Sequence, residues 1–129
     1  VKNGKLKLGL SEVDLGVCPA VVAPWLIKKL GAGRARAMLL AGGTMNGEQG
    51  FKAGLATHLC ELTELPVAVR DFAENLAKGG KDALATTKRW LNELDGSLND
   101  DILQKGADLS AKIIGGEEAQ ARLRPIYSK

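Results

Sequence analysis

The sequence predicts an α/β chain that is mostly helical, and three observations support this fold class. Near the start, "KLKLGLSEV" alternates apolar and polar side chains, which is typical of a short strand with one buried face. From Thr63 onward, apolar residues recur at helical spacing instead. The few strands predicted here cannot form a stable sheet by themselves, because three or more are usually needed. We therefore expect the first half to be the end of a sheet whose other strands lie elsewhere.

Composition and charge favour a globular domain without a nucleic-acid partner. The 129 residues correspond to one ordinary domain, and 45% of them are hydrophobic. The 18 basic and 15 acidic residues are interspersed, so the net charge of +3 does not come from a dense basic stripe. Aromatic residues make up only 4%, which leaves few platforms for stacking bases. A mixed, solvated surface accounts for this charge.

The cysteines and the apolar runs do not indicate a metal centre or a membrane span. Cys18 and Cys60 are far apart and accompany a single histidine, so we expect two reduced thiols and no metal cluster. Lys28 and Lys29 end the main apolar run short of the ~20 residues that a bilayer requires. The chain opens with the polar "VKNGKLK" rather than a signal peptide. We expect a cytoplasmic protein without a membrane partner.

The first predicted strand places a carboxylate among apolar side chains. Its alternation puts Leu6, Leu8 and Leu10 on one side, and Glu12 would follow on that same side. An apolar face is an expensive position for a carboxylate. From the residues alone, an edge-strand glutamate directed at water is the alternative.

Prolines, glycines and one asparagine mark the helices of the first half. A helix that begins after Pro19 or at Pro24 can run to Gly31, and a second helix fits 33–40. Asn46 can cap a third short helix. Between the second and third helices "AGGTMNGEQ" is predicted to be a turn, and after the third "LATHLCE" is predicted to be a strand.

Four amphipathic helices are predicted for the second half, each ended by glycines or a proline. Ser97 and Asp100 form a weak capping box before the third of them. The last, "EEAQARLR", is predicted to end at Pro125. The apolar stripes of the other three are Val69, Phe72, Ala73 and Leu76; Leu84, Thr87, Leu91 and Leu94; and Ile102, Gly106, Leu109 and Ile113.

Four segments, in this order, resemble the C-terminal half of the crotonase superfamily, which contains the enoyl-CoA hydratases and isomerases. They are "LGLSEVDLGVCPA", "LIKKLGAGRARAMLLAGGTMNGEQGFKAGLA", "AENLAKGGKDALATTKRWLN" and "RPIY". Each segment is weakly specific alone, but together they extend over nearly the whole chain. "PAVV", from Pro19 to Val22, replaces the glycine run of other members and is closest to the methylglutaconyl-CoA or carboxygeranoyl-CoA hydratase type.

The resemblance implies how the chain is organised and what it binds. Residues 1–62 would be the last part of a crotonase-type spiral β/α core, and residues 63–129 the C-terminal helical region that forms trimers. The implied partners are an acyl-CoA thioester of fatty acid metabolism and further copies of the chain, in a trimer or hexamer. Coenzyme A would be part of the substrate, and no separate cofactor or metal is implied.

The resemblance also assigns a role to Glu12. This residue matches the family's second catalytic glutamate, which in a hydratase gives or removes a proton at the carbon next to the thioester carbonyl. Asp14 is expected to be a surface residue and His58 a structural one, and a plain surface position is the alternative for Arg124. The substrate-binding residues would line or back the acyl pocket or meet a CoA phosphate: Val17, Ala20, Val21, Trp25 and, for the phosphate, Arg124.

Members of this superfamily are longer, and the chain lacks parts that their chemistry needs. The resemblance places two N–H donors for the developing enolate oxygen, a second glutamate that activates water, and most CoA contacts in an N-terminal half. No segment here corresponds to them, and "GAGRAR" lacks the features of a dinucleotide loop. The sequence also starts with Val1 rather than Met. We therefore expect a C-terminal fragment, made by truncation, proteolysis or gene splitting, that is inactive alone.

Three functions remain open from the sequence. The first is part of an enoyl-CoA hydratase, a lyase, with Glu12 as general acid and base; a close alternative is an isomerase of the same superfamily, in which a lone glutamate shuttles the proton. The second is a non-catalytic helical assembly module, because the wide apolar faces of the late helices would be sticky without a partner. The third, a basic helical nucleic-acid binder, is disfavoured by the dispersed charge.

Overall fold

The computed structural model describes residues 7–97 and 99–128 of the chain. Within these ranges the predicted fold class, α/β and mostly α, is confirmed. The strands are β1 (Lys7–Gly9) and β2 (Thr44–Asn46), and two 3-10 turns span Val13–Leu15 and Leu62–Glu64. The helices are α1 (Ala23–Leu30), α2 (Ala32–Ala41), α3 (Gly47–Lys52), α4 (Leu65–Ala77), α5 (Lys81–Leu94), α6 (Asp100–Ile114) and α7 (Glu117–Tyr127). No described helix is long and apolar enough to cross a membrane.

The two strands form an antiparallel ladder with Leu8 opposite Met45 at its centre. The strand predicted near the start is confirmed in its described part, whereas Leu6 lies outside the described residues. The turn predicted over "AGGTMNGEQ" is wrong for 44–46, which form β2. Gly42 and Gly43 complete the chain reversal by themselves, with φ of 66° and 80°, values that glycine adopts readily. The next residues can therefore pair with β1.

The strand predicted at "LATHLCE" is also wrong. Residues 55–60 have irregular backbone and do not join the ladder. The N–H of Leu55 instead donates to the carbonyl of Gly50 at 2.9 Å, which closes the end of α3. A mixed run of apolar and polar residues this short does not distinguish a strand from an irregular connection.

The first two predicted helices are confirmed as α1 and α2, and they build the core. Leu26 of α1 is buried with Ala35 and Leu39 of α2 and with Leu10, which follows β1. Pro24 lies in the first turn of α1, where its missing N–H costs no helical hydrogen bond. The core therefore lies directly behind the segment that contains Glu12.

Helix caps follow the sequence prediction at α3 but not at α6. The side chain of Asn46 accepts from the N–H of Gln49 at 2.9 Å, and the side chain of Gln49 accepts from the N–H of Asn46 at 2.8 Å. At α6 the capping box of Ser97 and Asp100 is wrong. The cap is Asn99, whose Oδ1 accepts from two N–H groups of the first turn, because Asn99 directly precedes the helix.

α7 continues through Pro125 to Tyr127, whereas the sequence predicted its end at the proline. Proline removes one helical N–H. The N–H of Ser128 nevertheless donates to the carbonyl of Arg124 at 3.0 Å, so the last turn still closes.

α6 and α7 pack against elements of the first half. Gly106 of α6 is buried, and a Cβ at this position would lie 2.9 Å from the carbonyl oxygen of Ala20. Such a close approach between helix and backbone requires glycine. On α7, Nη1 of Arg122 donates to the carbonyl of Asp14 at 3.1 Å. The two helices therefore hold the segment that follows β1.

α4 and α5 form as predicted, but their apolar stripes are not covered. Val69 and Phe72 on α4 are 57% and 49% exposed, and Leu91 and Leu94 on α5 are 55% and 63% exposed. Neither helix has a buried residue.

Candidate active site

Glu12 lies in the turn that follows β1. The strand ends at Gly9, so the predicted alternation does not reach Glu12, whose backbone is helical with φ of −56° and ψ of −45°. The carbonyl of Glu12 accepts from the N–H of Val17 at 2.8 Å and of Leu15 at 3.1 Å. These bonds fold the turn back on itself and constrain the direction in which the side chain leaves the backbone.

The carboxyl group of Glu12 is partly buried without a donor. Its Oε2 is shielded from solvent and accepts no hydrogen bond from the described part of the chain. An unsatisfied buried polar atom costs about 1–3 kcal/mol. Such atoms are few in native proteins, and a catalytic role is one of the recognised reasons for keeping one.

A cavity of about 450 Å³ adjoins Glu12. Its walls are mostly apolar, which is typical of sites for small molecules. Four of the predicted substrate-binding residues line it together with Glu12: Val17, Ala20, Val21 and Trp25. The structure brings these residues to one place, and their roles stay a prediction.

Five further lining residues were not predicted. Three belong to the segment 17–22 and two to α6, namely Cys18, Pro19, Val22, Ser110 and Ile114. Ser110 and Ile114 lie one and two turns after Gly106, the residue that brings α6 close to Ala20. A polar residue in the apolar row of α6 was the available signal for Ser110. Nothing local in the sequence indicates that α6 packs on this segment.

A second apolar cavity, of about 540 Å³, shares three of these residues. Cys18, Pro19 and Ala20 line both cavities, and the rest of the second one comes from α1 and α6. Its charged lining residues are Lys28 and Lys105. The segment 18–20 thus separates two apolar spaces.

Arg124 lies apart from the other predicted substrate-binding residues. It is exposed on α7 and is not among the residues that line the cavity beside Glu12. Arg122, two residues earlier on α7, contacts the turn after Glu12 instead. A phosphate contact by Arg124 stays a prediction.

Asp14 is exposed, as expected, and it accepts two hydrogen bonds. Its Oδ2 accepts from the N–H of Gly43 at 2.7 Å, and its carbonyl accepts from Arg122. The sequence contains no local signal for these contacts, because the partners are 29 and 108 residues away.

His58 is exposed and contacts two neighbouring side chains, and its structural role stays a prediction. Its ring meets that of Phe72 edge to face with centroids 4.9 Å apart, and its Nδ1 lies 3.0 Å from Oγ1 of Thr57. Cys18 and Cys60 are free thiols. Across the described ranges, no three His, Cys, Asp or Glu side chains are grouped so that they could hold a metal ion.

Known proteins resemble this chain in sequence and in fold. Residues 2–122 match the profile of the family described as "Enoyl-CoA hydratase/isomerase". A protein of Thermus thermophilus, provisionally named an enoyl-CoA hydratase, is 24% identical over all 129 residues of this chain, which correspond to 51% of its own length. The chain thus spans about half the length of this curated relative.

Solved structures share the fold. A Streptomyces avermitilis protein, provisionally named an enoyl-CoA hydratase, has a TM-score of 0.83 at 24% identity, over 95% of this chain and 44% of its own. An enoyl-CoA hydratase/isomerase of Pseudoalteromonas atlantica T6c has a TM-score of 0.82 at 17% identity, over 95% of this chain and 50% of its own. With the family profile matched over nearly the whole length, the chain belongs to the enoyl-CoA hydratase/isomerase family.

Proposed function

We propose that this chain forms the proton-transferring part of an enoyl-CoA hydratase. The observation that carries the proposal is the Glu12 carboxyl group, whose buried Oε2 has no hydrogen-bond partner among the described residues and which adjoins an apolar cavity. Such a cavity can hold the acyl part of a thioester. A carboxyl group beside it can exchange a proton with the bound substrate.

The reaction assigned to the complete enzyme is the addition of water to a 2,3-unsaturated acyl-CoA thioester. The oxygen of water bonds to C3, the electrons of the double bond move towards the thioester carbonyl, and C2 then takes a proton from Glu12. One proton of the water passes to a second base and the other stays on the new hydroxyl group, and proton exchange with solvent then returns Glu12 and that base to their starting states. Each N–H donor that stabilises the enolate oxygen contributes about 3 kcal/mol. We assign that base and those donors to a part of the enzyme other than residues 7–128.

In this proposal the walls of the cavity position the acyl chain. Val17, Ala20 and Val21 provide an apolar surface next to Glu12, and Trp25 provides a broad flat face. These side chains also exclude water from the proton-transfer step, which favours the intended reaction over side reactions. Arg124 would meet a CoA phosphate only in an assembly larger than this chain, since it is exposed on α7 away from the cavity.

We further propose that the chain is the C-terminal half of this enzyme and is inactive alone. The chain spans about half the length of a relative, which supports this proposal. The ladder of two strands and the exposed apolar stripes of α4 and α5 support it as well. Residues 1–62 would then end the core and residues 63–129 would form the trimerisation region. The proposed partners, an N-terminal half and further copies in a trimer or hexamer, would cover these surfaces.

Two of the three relatives are named for hydration alone, which favours hydration over isomerisation, and "PAVV" favours the methylglutaconyl-CoA or carboxygeranoyl-CoA type. A second function, helical assembly, is favoured by one observation: α4 and α5 expose whole apolar stripes. Assembly and catalysis are compatible, because an oligomer could complete the site.

The test is to assay the protein encoded by the complete reading frame that contains residues 1–129, with a crotonyl-type CoA thioester. We expect the 3-hydroxy product. The Glu12→Gln variant keeps the shape of the side chain but cannot transfer a proton, so kcat should fall by about 10²–10⁴-fold. The matched control is Glu48→Gln, which neutralises an exposed carboxylate of α3 and should retain activity.

Each other outcome has a defined meaning. Conversion of a 3-enoyl-CoA thioester to its conjugated 2-enoyl isomer, without addition of water to either, would identify an isomerase. An unchanged kcat in the Glu12→Gln variant would contradict the role of Glu12. Turnover by residues 1–129 alone that disappears on Glu12→Gln would contradict the proposed division of the site between two parts.

A further inference from the structure

The segment that carries Glu12 is tied at both ends to a single residue, Gly43. On one side of Glu12, the N–H of Leu10 donates to the carbonyl of Gly43 at 3.0 Å. On the other side, the N–H of Gly43 donates to Oδ2 of Asp14 at 2.7 Å. Glu12 lies midway between the two tied residues, so both bonds oppose movement of its turn relative to the connection between α2 and β2.

The glycine pair before β2 makes the second tie possible. Gly42 and Gly43 have φ of 66° and 80°, a region that other residues rarely adopt. A Cβ at Gly42 would lie 2.6 Å from Oδ1 of Asp14, so the carboxylate approaches the backbone more closely than a side chain there would allow. The 2.7 Å bond to Gly43 has the length of a charge-assisted hydrogen bond.

Arg122 of α7 holds the same turn through the backbone of Asp14. Its Nη1 donates to the Asp14 carbonyl at 3.1 Å, and its Nη2 lies 3.4 Å from Oε1 of Glu118, four residues earlier on α7. The ion pair with Glu118 orients the guanidinium group. The side chain and the carbonyl of Asp14 are thus each bound by a different part of the chain.

We propose that Asp14 is a positioning residue: through its bonds to Gly43 and Arg122 it fixes the turn that directs the Glu12 carboxyl group at the cavity. This inference rests on the proposed function of Glu12. Asp14 itself does not line the cavity and would not touch the substrate. Its effect on rate follows from geometry, because a misplacement of about 1 Å in a reacting group can cost on the order of 10²-fold.

The first test observes the surroundings of Glu12 without any assay of activity. In the 129-residue chain, labelled with ¹³C in the glutamate carboxyl groups, the NMR signal that is absent from the Glu12→Gln variant belongs to Glu12. Asp14→Ala removes the acceptor for Gly43, whereas Asp14→Asn keeps an oxygen there. We expect the Glu12 signal to move towards those of exposed glutamates in Asp14→Ala and to stay in place in Asp14→Asn.

An unmoved Glu12 signal in Asp14→Ala, with native helicity shown by circular dichroism, would overturn the proposal. A general loss of stability would not by itself move this one signal in the folded protein. Should Asp14→Ala fail to fold, Arg122→Ala replaces it, because that variant releases the same turn from α7. The expected movement and the contradicting result are then the same.

The second test uses the complete enzyme and separates the positioning role from the proposed function. Asp14→Ala should lower kcat by about 10–10²-fold with little change in KM, and Asp14→Asn should restore most of the activity. If Glu12→Gln abolishes turnover but Asp14→Ala leaves kcat unchanged, the positioning role is wrong and the proposed function stands. If Glu12→Gln leaves kcat unchanged, the proposed function fails, and the NMR result alone decides whether Asp14 orders the turn.

Discussion

α1 and α5 separate apolar from polar residues equally well, yet of the two only α1 places an apolar residue in the core. Leu26 of α1 packs into the core with Leu39 of α2, whereas Leu91 and Leu94 of α5 are exposed. The two helices differ in whether another part of the described chain packs against the apolar face. An amphipathic pattern predicts which face of a helix is buried. It does not predict whether the residues that bury this face belong to the same chain.

The apolar side chains of α4 and α5 are exposed, so the chain by itself does not gain the free energy that their burial would contribute. Full burial of one large apolar side chain contributes about 1.5–3 kcal/mol. Several such side chains lie exposed on the two helices, and contiguous apolar patches of this kind mark interaction sites in soluble proteins. Four experiments test this difference between the packed region, α1 to α3, and the uncovered region, α4 and α5. They are ordered from the largest expected effect to the smallest.

The largest effect is expected from two neighbouring leucines of α2. Leu39 is 8% exposed and Leu40 is 71% exposed. Leu39→Ala should lower the free energy of unfolding by about 2–5 kcal/mol because it leaves a cavity in the core. Leu40→Ala should change it by less than about 0.5 kcal/mol. Urea unfolding measures both, and equal losses would show that the core does not depend on the α1–α2 contact.

The next effect concerns association through the uncovered region. We expect residues 1–129 to self-associate, and Leu76→Lys on α4 should weaken this association by about tenfold or more, because a charge replaces about 1.5–3 kcal/mol of apolar burial. Asn75→Lys adds the same charge at the adjacent position, off the apolar stripe, and is the control. Sedimentation equilibrium measures both. A compact monomer at all concentrations would contradict the assignment of these stripes as a contact surface.

A smaller effect is expected at the cap of α3, which belongs to the packed region. Asn46→Ala removes the side-chain oxygen that accepts from the N–H of Gln49 and should cost about 0.5–2 kcal/mol of stability. Asn46→Asp should be nearly neutral, since aspartate caps equally well. Thermal unfolding of the two variants provides the measurement, and equal destabilisation would mean that Asn46 acts by something other than its capping oxygen.

The smallest effect concerns a polar link between the two regions. Asp95, at the end of α5, lies 4.0 Å from Lys28 of α1, which also donates to Ser97 at 3.2 Å. Hydrogen bonds from Ser97, helped by Lys28, lower the pKa of Asp95 against the opposing effect of desolvation. A lowered folded-state pKa stabilises the fold above the unfolded-state pKa, and this stabilisation is lost as the pH falls through the folded-state pKa.

Asp95→Asn should therefore flatten the acid side of the stability–pH profile slightly, and only slightly, because the carboxylate is exposed. Urea unfolding at neutral and acid pH measures the change. An identical loss of stability in acid for both proteins would show that Asp95 does not contribute to the link.

Local features of the fold were predictable, and features that depend on distant partners were not. Periodicity located the four helices of the second half, and prolines, glycines and Asn46 located the three of the first half, among the described residues. β2 was missed because the glycine pair before it resembles a longer turn. The predicted strand at 55–61 was wrong because a short run of apolar and polar residues cannot show whether a pairing partner is present.

The candidate site shows the same division. Glu12 was expected among apolar residues on a strand, and it is partly buried among them in a turn instead. Its neighbours Val17 to Trp25 were found because they are close in sequence. Ser110 and the ties from Asp14 to Gly43 and Arg122 were not, because they join residues that are far apart along the chain.

Gly106 has a consequence for the width of the cavity beside Glu12. α6 lies so close to the Ala20 carbonyl that a Cβ at Gly106 would have no room. Ser110 and Ile114 of the same helix line the cavity. A methyl group at 106 would push this wall outward and enlarge the space beside Glu12. The absence of a side chain at 106 thus sets the width of the space beside Glu12, although Gly106 does not line that space itself.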